Sequence, residues 1–430
     1  MTPAHAETPP SRTYANYVLG VLTLMYLFNY LDRWVLSILV VDVKEEFGVS
    51  DAWMGFLLGP AFAVFYTLLG LPIAKLADRY SRRLIISVAF VTWSLMTAVS
   101  GLSRSAAELT AARVGVGIGE AGGTAPTHAL LADYFPPERR AFAFGIFQQG
   151  VYLGQLVGLV GGAAIATSLG WRMTFIVFGL AGIAGAALLY FTVREPQRGR
   201  FDPKPQQTQE PPAIREVFSY LWRRPSFRAI SIGAGIASFG GTGFGSWMPT
   251  LLERTLEMSK TDIGLQYGSV TAVSASLGAL AAGKITDVMS RRDSRWLMWV
   301  PAFSVISSLP FLIGQALAPT PNFALVMAVP SGLLGGGWAP AVYAAVQQLA
   351  PARMRAVGAS IIVLFITLLG QGAGPFAIGL LNDAFESRFG VNAIRASMTL
   401  LLSTYLIAAV GLVWGARSLR RDIGDPEAER

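Results

Sequence analysis

The chain has 430 residues, of which 53% are hydrophobic and only 14% charged, and a mean hydropathy of +0.49; a water-soluble globule carries about 25% charged residues, so that class is excluded. With no cysteine and only His5 and His128 as histidines, the chain has neither a disulfide framework nor a cysteine or histidine metal cluster. The net charge of +8 needs no nucleic-acid partner, because basic loops beside a membrane face anionic lipid.

Residues 1–15, "MTPAHAETPPSRTYA", are polar and Pro-rich and lack the pattern of a cleaved signal, so they read as a cytoplasmic tail. Apolar stretches of about 20 residues mark membrane-spanning helices. They fall near 16–41, 53–76, 84–103, 107–131, 141–168 and 172–193, and again near 227–252, 263–285, 296–317, 323–349, 356–382 and 393–415. The pattern predicts an all-α integral membrane protein of twelve transmembrane helices in two six-helix bundles, 16–193 and 227–416. Between the bundles, 194–226 is rich in Pro, Gln and Arg and reads as a cytoplasmic linker; within it "IREVFSYLW" has the pattern of an interfacial amphipathic helix. Residues 417–430 form a second tail. With both termini cytoplasmic, 25 of the 34 Lys and Arg residues lie on that side and 7 on the other, which satisfies the positive-inside rule and places the chain in the cell (inner) membrane.

The chain repeats itself. "AKLADRYSRR" at 74–83 aligns with "GKITDVMSRR" at 283–292, "AP" at 125–126 with "AP" at 339–340, and "LGQ" at 153–155 with "LGQ" at 369–371. Three landmarks in the same order make the two bundles pseudo-symmetric about an axis along the membrane normal.

Charges within the spans are the most informative feature. On a helix, positions i, i+3 and i+4 share a face, so Asn29, Asp32 and Arg33 in "NYLDRW" lie together with Tyr26 and Ser37. Arg113, Gly117 and Glu120 continue as a stripe into Thr124 and His128. A lone charge at bilayer depth costs roughly 2.5–3.5 kcal/mol on insertion scales, so these four charges require partners. One reading is static pairing, Asp32 with Arg33 or Arg113 with Glu120. The other is proton coupling, in which an Arg moves away and its carboxylate takes up a proton. Away from their ends, the spans of the second bundle carry no charge. Its candidate cavity residues are Phe239, Trp247, Tyr267, Trp338, Tyr343, Thr367 and Gln371, facing Tyr26, Asn29, Thr124, His128, Gln148 and Tyr152 of the first bundle. An apolar wall of this kind suits an acyl chain.

In the loop after the second span, Asp78 follows a helix end while Arg82 and Arg83 begin the next helix. A carboxylate there can accept bonds from a helix N-terminus or an Arg and latch one conformation. Asp78, Arg79, Arg82, Arg83, Asp287 and Arg291 are the candidate latch; the arginines also serve as topology determinants. "GIGEAG" at 117–122 matches a dinucleotide-binding glycine pattern, but it sits inside an apolar helix with no preceding strand. Its glycines, like those of "GQLVGLVGG", suit close helix packing. No nucleophile–base pair suggests an enzyme, and no cofactor is implied.

The loop at 74–83 and its copy resemble the signature loop of the major facilitator superfamily, with Ala74 and Ser81 standing where glycine is usual. "NYLDRWVLS", "RVGVGIGEAGGTAPTHALLADYFPPERRA" and "GVYLGQLVG" resemble the Spinster family of lipid transporters within it; the first also resembles the anion:cation symporters. The resemblance implies alternating access between two rocking bundles. It also implies proton coupling through Asp32, Arg33 and Glu120, with Arg113 as the partner of Glu120. The expected partners are protons, membrane lipids and a small amphiphile such as a lysophospholipid or sphingolipid-like molecule, moved by a monomer. Gln155, where the superfamily's antiporter motif has proline, leaves the direction open. The alternatives are an organic-anion/proton symporter and a non-transporting receptor or scaffold.

Overall fold

A computed structural model describes residues 11–201, 214–351 and 354–424, apart from the side chains of Leu71, Asp78, Ala141 and Ala356. The chain begins with α1 (Arg12–Ile38), where the Ser11 side chain accepts from the Tyr14 N–H. The helix bends by 56° into α2 (Val40–Phe47), which Gly48 ends in the left-handed region at φ 62. The second span is α3 (Asp51–Leu58) and α4 (Pro60–Arg79), jointed at Gly59. Then come α5 (Arg82–Ser100), α6 (Ala106–Glu120), α7 (Thr124–Tyr134), α8 (Pro137–Leu169) and α9 (Trp171–Thr192). The predicted linker helix is present as α10 (Ile214–Trp222), burying Val217 and Leu221.

The second half runs α11 (Pro225–Leu256), α12 (Lys260–Asp262), a π-helical segment Ile263–Gly268, α13 (Ser269–Ser290), α14 (Trp296–Ala316), α15 (Pro321–Gly335) and α16 (Trp338–Leu349). It ends with α17 (Arg355–Phe365), a π-helical segment Ile366–Ala373, α18 (Gly374–Phe389), α19 (Ala393–Leu402) and α20 (Thr404–Ile423). By length and composition, seven helical runs among the described residues can cross a membrane unaided, or eight with α1 and α2 taken as one bent span; one run, Val357–Ile423, covers both of the last two spans. The fourth, seventh and eighth predicted spans miss that standard. The fourth carries Arg113 and Glu120 and breaks at 121–123, and the other two are diluted by Gly, Ser and Thr.

The repeat is structural as well as sequential. The fourth span breaks before Thr124 and the tenth before Trp338, the offset of the "AP" landmark. Arg140 Nε donates to the Phe135 carbonyl at 3.1 Å, and Arg355 Nε donates to the Ala350 carbonyl at 3.4 Å, in matching positions. Within the first half α1 lies along α8, and α5 along α9; in the second, α11 lies along α20. The first contact depends on glycine: a Cβ on Gly154 would stand 2.5 Å from the Leu27 carbonyl oxygen, and one on Gly150 2.9 Å from that of Thr23.

The halves share one apolar core and keep two apart. The shared cluster joins Leu36, Met54 and Phe175 to Trp247, Leu251 and Met398. Of the other two, one belongs to the first half, around Phe90, Trp93 and Phe147, and one to the second, around Phe227, Val346 and Leu419. The shared cluster lies toward the face opposite the start of α1 and the end of α20. We call that the far face and its opposite the terminal face. The protein is thus closed at the far face, while toward the terminal face each half has its own core.

Candidate functional site

The four buried charges pair between helices rather than within them. Arg33 NH2 lies 2.7 Å from Glu120 Oε2, and its Nε 3.2 Å from the same oxygen. Arg113 NH1 lies 2.9 Å from Asp32 Oδ2, and the Thr97 hydroxyl donates to Asp32 Oδ1 at 2.6 Å. This corrects both expected pairings, Asp32 with Arg33 and Arg113 with Glu120. Adjacent residues on a helix point about 100° apart, so Asp32 and Arg33 meet different neighbours. Arg113 and Glu120 lie seven residues, roughly 10 Å of helix, apart, and each finds its counter-charge on α1.

The two pairs have different surroundings. The Asp32 and Arg113 side chains are 3% and 2% exposed, whereas Arg33 retains 16%. Arg33 NH1 also donates to Gln371 Oε1 at 2.8 Å, across to the second half, and NH2 donates to Asn29 Oδ1 at 3.1 Å. Its guanidinium carbon sits 4.8 Å from the Tyr30 ring centre, 4.5 Å from Phe62 and 5.4 Å from Tyr66, in cation–π contact. Glu120 Oε1 is buried without a hydrogen-bond partner among the described residues. The site therefore combines an arginine that bonds across the halves with a buried carboxylate oxygen left without a hydrogen-bond partner among the described residues.

The other expected cavity residues divide. Tyr26 stacks on Phe147 at 4.2 Å, and Thr124 meets the Tyr66 hydroxyl at 3.2 Å. His128 stands edge-on to Phe144 and Phe147, its Nε2 without a partner among the described residues. Gln148 is exposed, and Tyr152, Phe239, Trp338 and Tyr343 are half-buried. Tyr343 is within electrostatic reach of Tyr30 and Tyr66. Thr367 and Tyr267 are buried. Trp247 is fully buried and donates from Nε1 to the Pro375 carbonyl at 2.8 Å, so it packs α11 against α18 instead of lining a cavity.

Asp51 organises the far face. It binds Lys44 at 2.6 Å, Arg254 at 2.8 Å and Asn382 at 2.9 Å. In return Asp383 of the second half accepts the first N–H groups of α3, those of Asp51 and Ala52, at 3.0 and 2.9 Å. Lys260 reaches Asp42 of the first half and lies 3.2 Å from Glu253. Burial alone would lower the Lys260 pKa, but the hydrogen bond to Asp42 and the charge of Glu253 leave it raised, so Lys260 stays charged. Gly55 packs 2.6 Å, as measured from a Cβ, from the Pro375 carbonyl oxygen.

At the terminal face, Arg82 pairs with Asp133 and donates to the Ala129 carbonyl at 3.2 Å. The cap of α5 is Glu195: its carboxylate accepts from Arg82 N at 2.9 Å, Arg83 N at 2.8 Å and the Ser81 hydroxyl at 2.8 Å. The Arg83 guanidinium donates to the Val193 carbonyl at 3.3 Å, while Arg79, Asp287 and Arg291 are exposed. The expected latch on Asp78 lies outside the described side chains. Asp51 and Glu195 escaped the sequence reading because both sit just beyond a span; the Ser50-Asp51 and Arg194-Glu195 steps at helix ends were the available signal.

Two pseudo-symmetric helical halves meet where Arg33, paired with Glu120 inside the first half, donates to Gln371 of the second, an arrangement of a membrane transporter, not an enzyme. Residues 22–375 match the profile described as Major Facilitator Superfamily. The chain is 30% identical over 419 residues to an "MFS-type efflux pump" of Mycolicibacterium smegmatis, covering 96% of this chain and 95% of that one. It is 27% identical to "Protein spinster homolog 1" of Xenopus tropicalis, covering 96% of this chain and 81% of that one. It superposes with a TM-score of 0.88 and 30% identity on a bacterial homologue of the human lysosomal transporter Spinster, inward-facing and unoccupied, covering 97% of this chain and all (100%) of that one. The occupied inward-facing form of that homologue gives 0.84. The chain belongs to the major facilitator superfamily and within it resembles the Spinster proteins.

Proposed function

We propose that the protein is a proton-coupled secondary transporter of a lipid-like amphiphile, a lysophospholipid or sphingolipid-like molecule, working by alternating access in the cell membrane with both termini cytoplasmic. The observation that carries this reading is the Arg33 bridge, bonded at once to Glu120 in one half and Gln371 in the other. Protonating Glu120 cancels its attraction for Arg33 and frees the guanidinium to move, so that its bond to Gln371 across the halves can rearrange. Reloading Arg33 expels the proton. The aromatic box of Tyr30, Phe62 and Tyr66 and the neutral second half supply apolar surface for an acyl chain. The far face is then the outside, and the present conformation is inward-facing. The resemblance to an efflux pump supports outward transport, with the amphiphile taken from the cytoplasmic side.

The organic-anion reading requires an arginine free to hold a carboxylate. Arg113 is sealed against Asp32, and Arg33 is engaged by Glu120 and Gln371, which favours the lipid reading. Purified protein in liposomes under an imposed pH gradient separates the readings. The expected result is gradient-driven movement of a labelled lysolipid, inhibited by unlabelled lysolipid and indifferent to small carboxylates. Inhibition by carboxylates alone would replace the lipid reading with the anion one, and the absence of any gradient-driven flux would leave a scaffold.

A further inference from the structure

The linker helix α10 buries Val217 and Leu221 against the second half and leaves Ile214, Phe218 and Tyr220 at 38%, 40% and 37% exposure. Beside it, on the terminal face, is a cavity of about 360 Å³ whose lining includes Tyr220, Arg224, Arg355 and Arg421. Arg224 is held in place: NH1 donates to the Leu349 carbonyl at 2.6 Å, NH2 to the Tyr220 hydroxyl at 2.5 Å, and its guanidinium carbon lies 4.1 Å from that ring's centre. Arg355 is anchored through Nε on the Ala350 carbonyl, and Arg421, 71% exposed, lies 3.7 Å through Nε from Asp422 Oδ1. The acid of the cavity, Asp422, is committed to the start of α11, accepting from Ser226 N at 3.0 Å and its hydroxyl at 2.6 Å. Among the described residues that line the cavity, three guanidinium groups therefore meet one carboxylate, which is shared between Ser226 and the loose Arg421 contact. The first half differs, because there Glu195 binds into the basic turn 81–83 and balances it internally.

We propose that this cavity binds the phosphate headgroup of an anionic membrane phospholipid, at a site separate from the transport pathway. Arginine forks match phosphate oxygens in pairs. Basic pockets between helices at a membrane surface suit anionic headgroups. A pocket of this size is in the range, roughly 300–1,000 Å³, of small-molecule sites. A membrane lipid, and not free phosphate, is the occupant because Tyr220 of the cavity wall belongs to α10, whose Ile214 and Phe218 are also exposed, as in amphipathic helices that lie among headgroups and upper acyl chains.

The test uses the full chain in nanodiscs of phosphatidylcholine, with or without phosphatidylglycerol, and reads the thermal unfolding midpoint together with the lipid retained in native mass spectrometry. Phosphatidylglycerol is expected to raise the midpoint and to be retained. Arg355→Ala/Arg421→Ala should lose most of both effects, and the exposed Arg421→Gln alone should weaken retention severalfold. Lys75→Ala/Lys284→Ala, which removes two exposed cations elsewhere, should keep them. Inorganic phosphate added to phosphatidylcholine discs should leave the midpoint unchanged. Equal phosphatidylglycerol effects in the wild type and both arginine variants would overturn the proposal, as would a phosphate effect matching that of the lipid. The acidic residues Asp425, Glu427 and Glu429 follow directly on Gly424, which also lines the cavity. A chain ending at Gly424 should bind the lipid at least as well, and loss of the lipid effect on that truncation would overturn the proposal, because the cavity alone would then not hold the lipid.

Discussion

Asp32 and Arg33 are neighbours in sequence, yet they belong to two ion pairs of opposite character. Asp32 with Arg113 is dry, internal to the first half and completed by Thr97. Arg33 with Glu120 keeps some exposure, leaves a carboxylate oxygen without a partner among the described residues, and reaches into the second half through Gln371. A buried pair with its bonds satisfied holds an arrangement. A pair within one half whose arginine also bonds to the other half through Gln371, and whose carboxylate has an oxygen to spare, can change one. On the function proposed above, the comparison gives a structural role to the first and coupling to the second.

The largest effect should come from breaking the second pair. Arg33→Ala strands Glu120 and cuts the link to Gln371, so gradient-driven flux should fall on the order of 100-fold, which corresponds to about 2.7 kcal/mol. Arg33→Lys should recover little of it, because one ammonium cannot reproduce the guanidinium fork. Liposome flux at matched protein density measures both.

The first pair should instead show in stability. Asp32→Ala leaves Arg113 buried without its counter-charge, a loss of about 3–5 kcal/mol, read as a lower unfolding midpoint. Asp32→Asn/Arg113→Gln should regain part of it. In double-mutant cycles, Arg33 should couple to Glu120 more strongly than Arg113 does. The reverse order would restore the same-helix pairing that the geometry contradicts.

Smaller effects lie at the two faces. Asp51→Asn weakens the attraction for Lys44 and Arg254 and should loosen the far face. Because the chain has no cysteine, thiol labelling of an Ala52→Cys background reports this directly, with a severalfold rise expected. Asp293 contrasts with it. Burial raises its pKa, but hydrogen bonds from Arg295 and Arg420 outweigh that and hold it at about 2, against 3.8 ordinarily. Its stabilising contribution is therefore present above the ordinary value and lost only as pH falls through about 2. Asp293→Asn should cost at most about 1 kcal/mol and leave the pH profile of flux between pH 5 and 8 unchanged.

The spans, the repeat, the linker helix and the four buried charges were legible because hydropathy, helical period and charge placement are local properties. The pairing was not, because it depends on how α1 is rotated against α6, and a single sequence carries no such rotation. The box of Tyr30, Phe62 and Tyr66 was missed for a related reason: an aromatic residue in an apolar helix reads the same whether it packs on a neighbour or cradles a guanidinium. Trp247 shows the converse, a candidate cavity wall that is instead bonded to the Pro375 carbonyl.

The central claim, that Glu120 couples transport to protons while Asp32 and Arg113 hold the bundle, is tested most directly by separating exchange from accumulation. In proteoliposomes, Glu120→Gln should keep the exchange of labelled for unlabelled amphiphile and lose accumulation driven by a pH gradient. If Glu120→Gln accumulates substrate in response to the gradient as the wild type does, Glu120 is not the coupling group and the account fails.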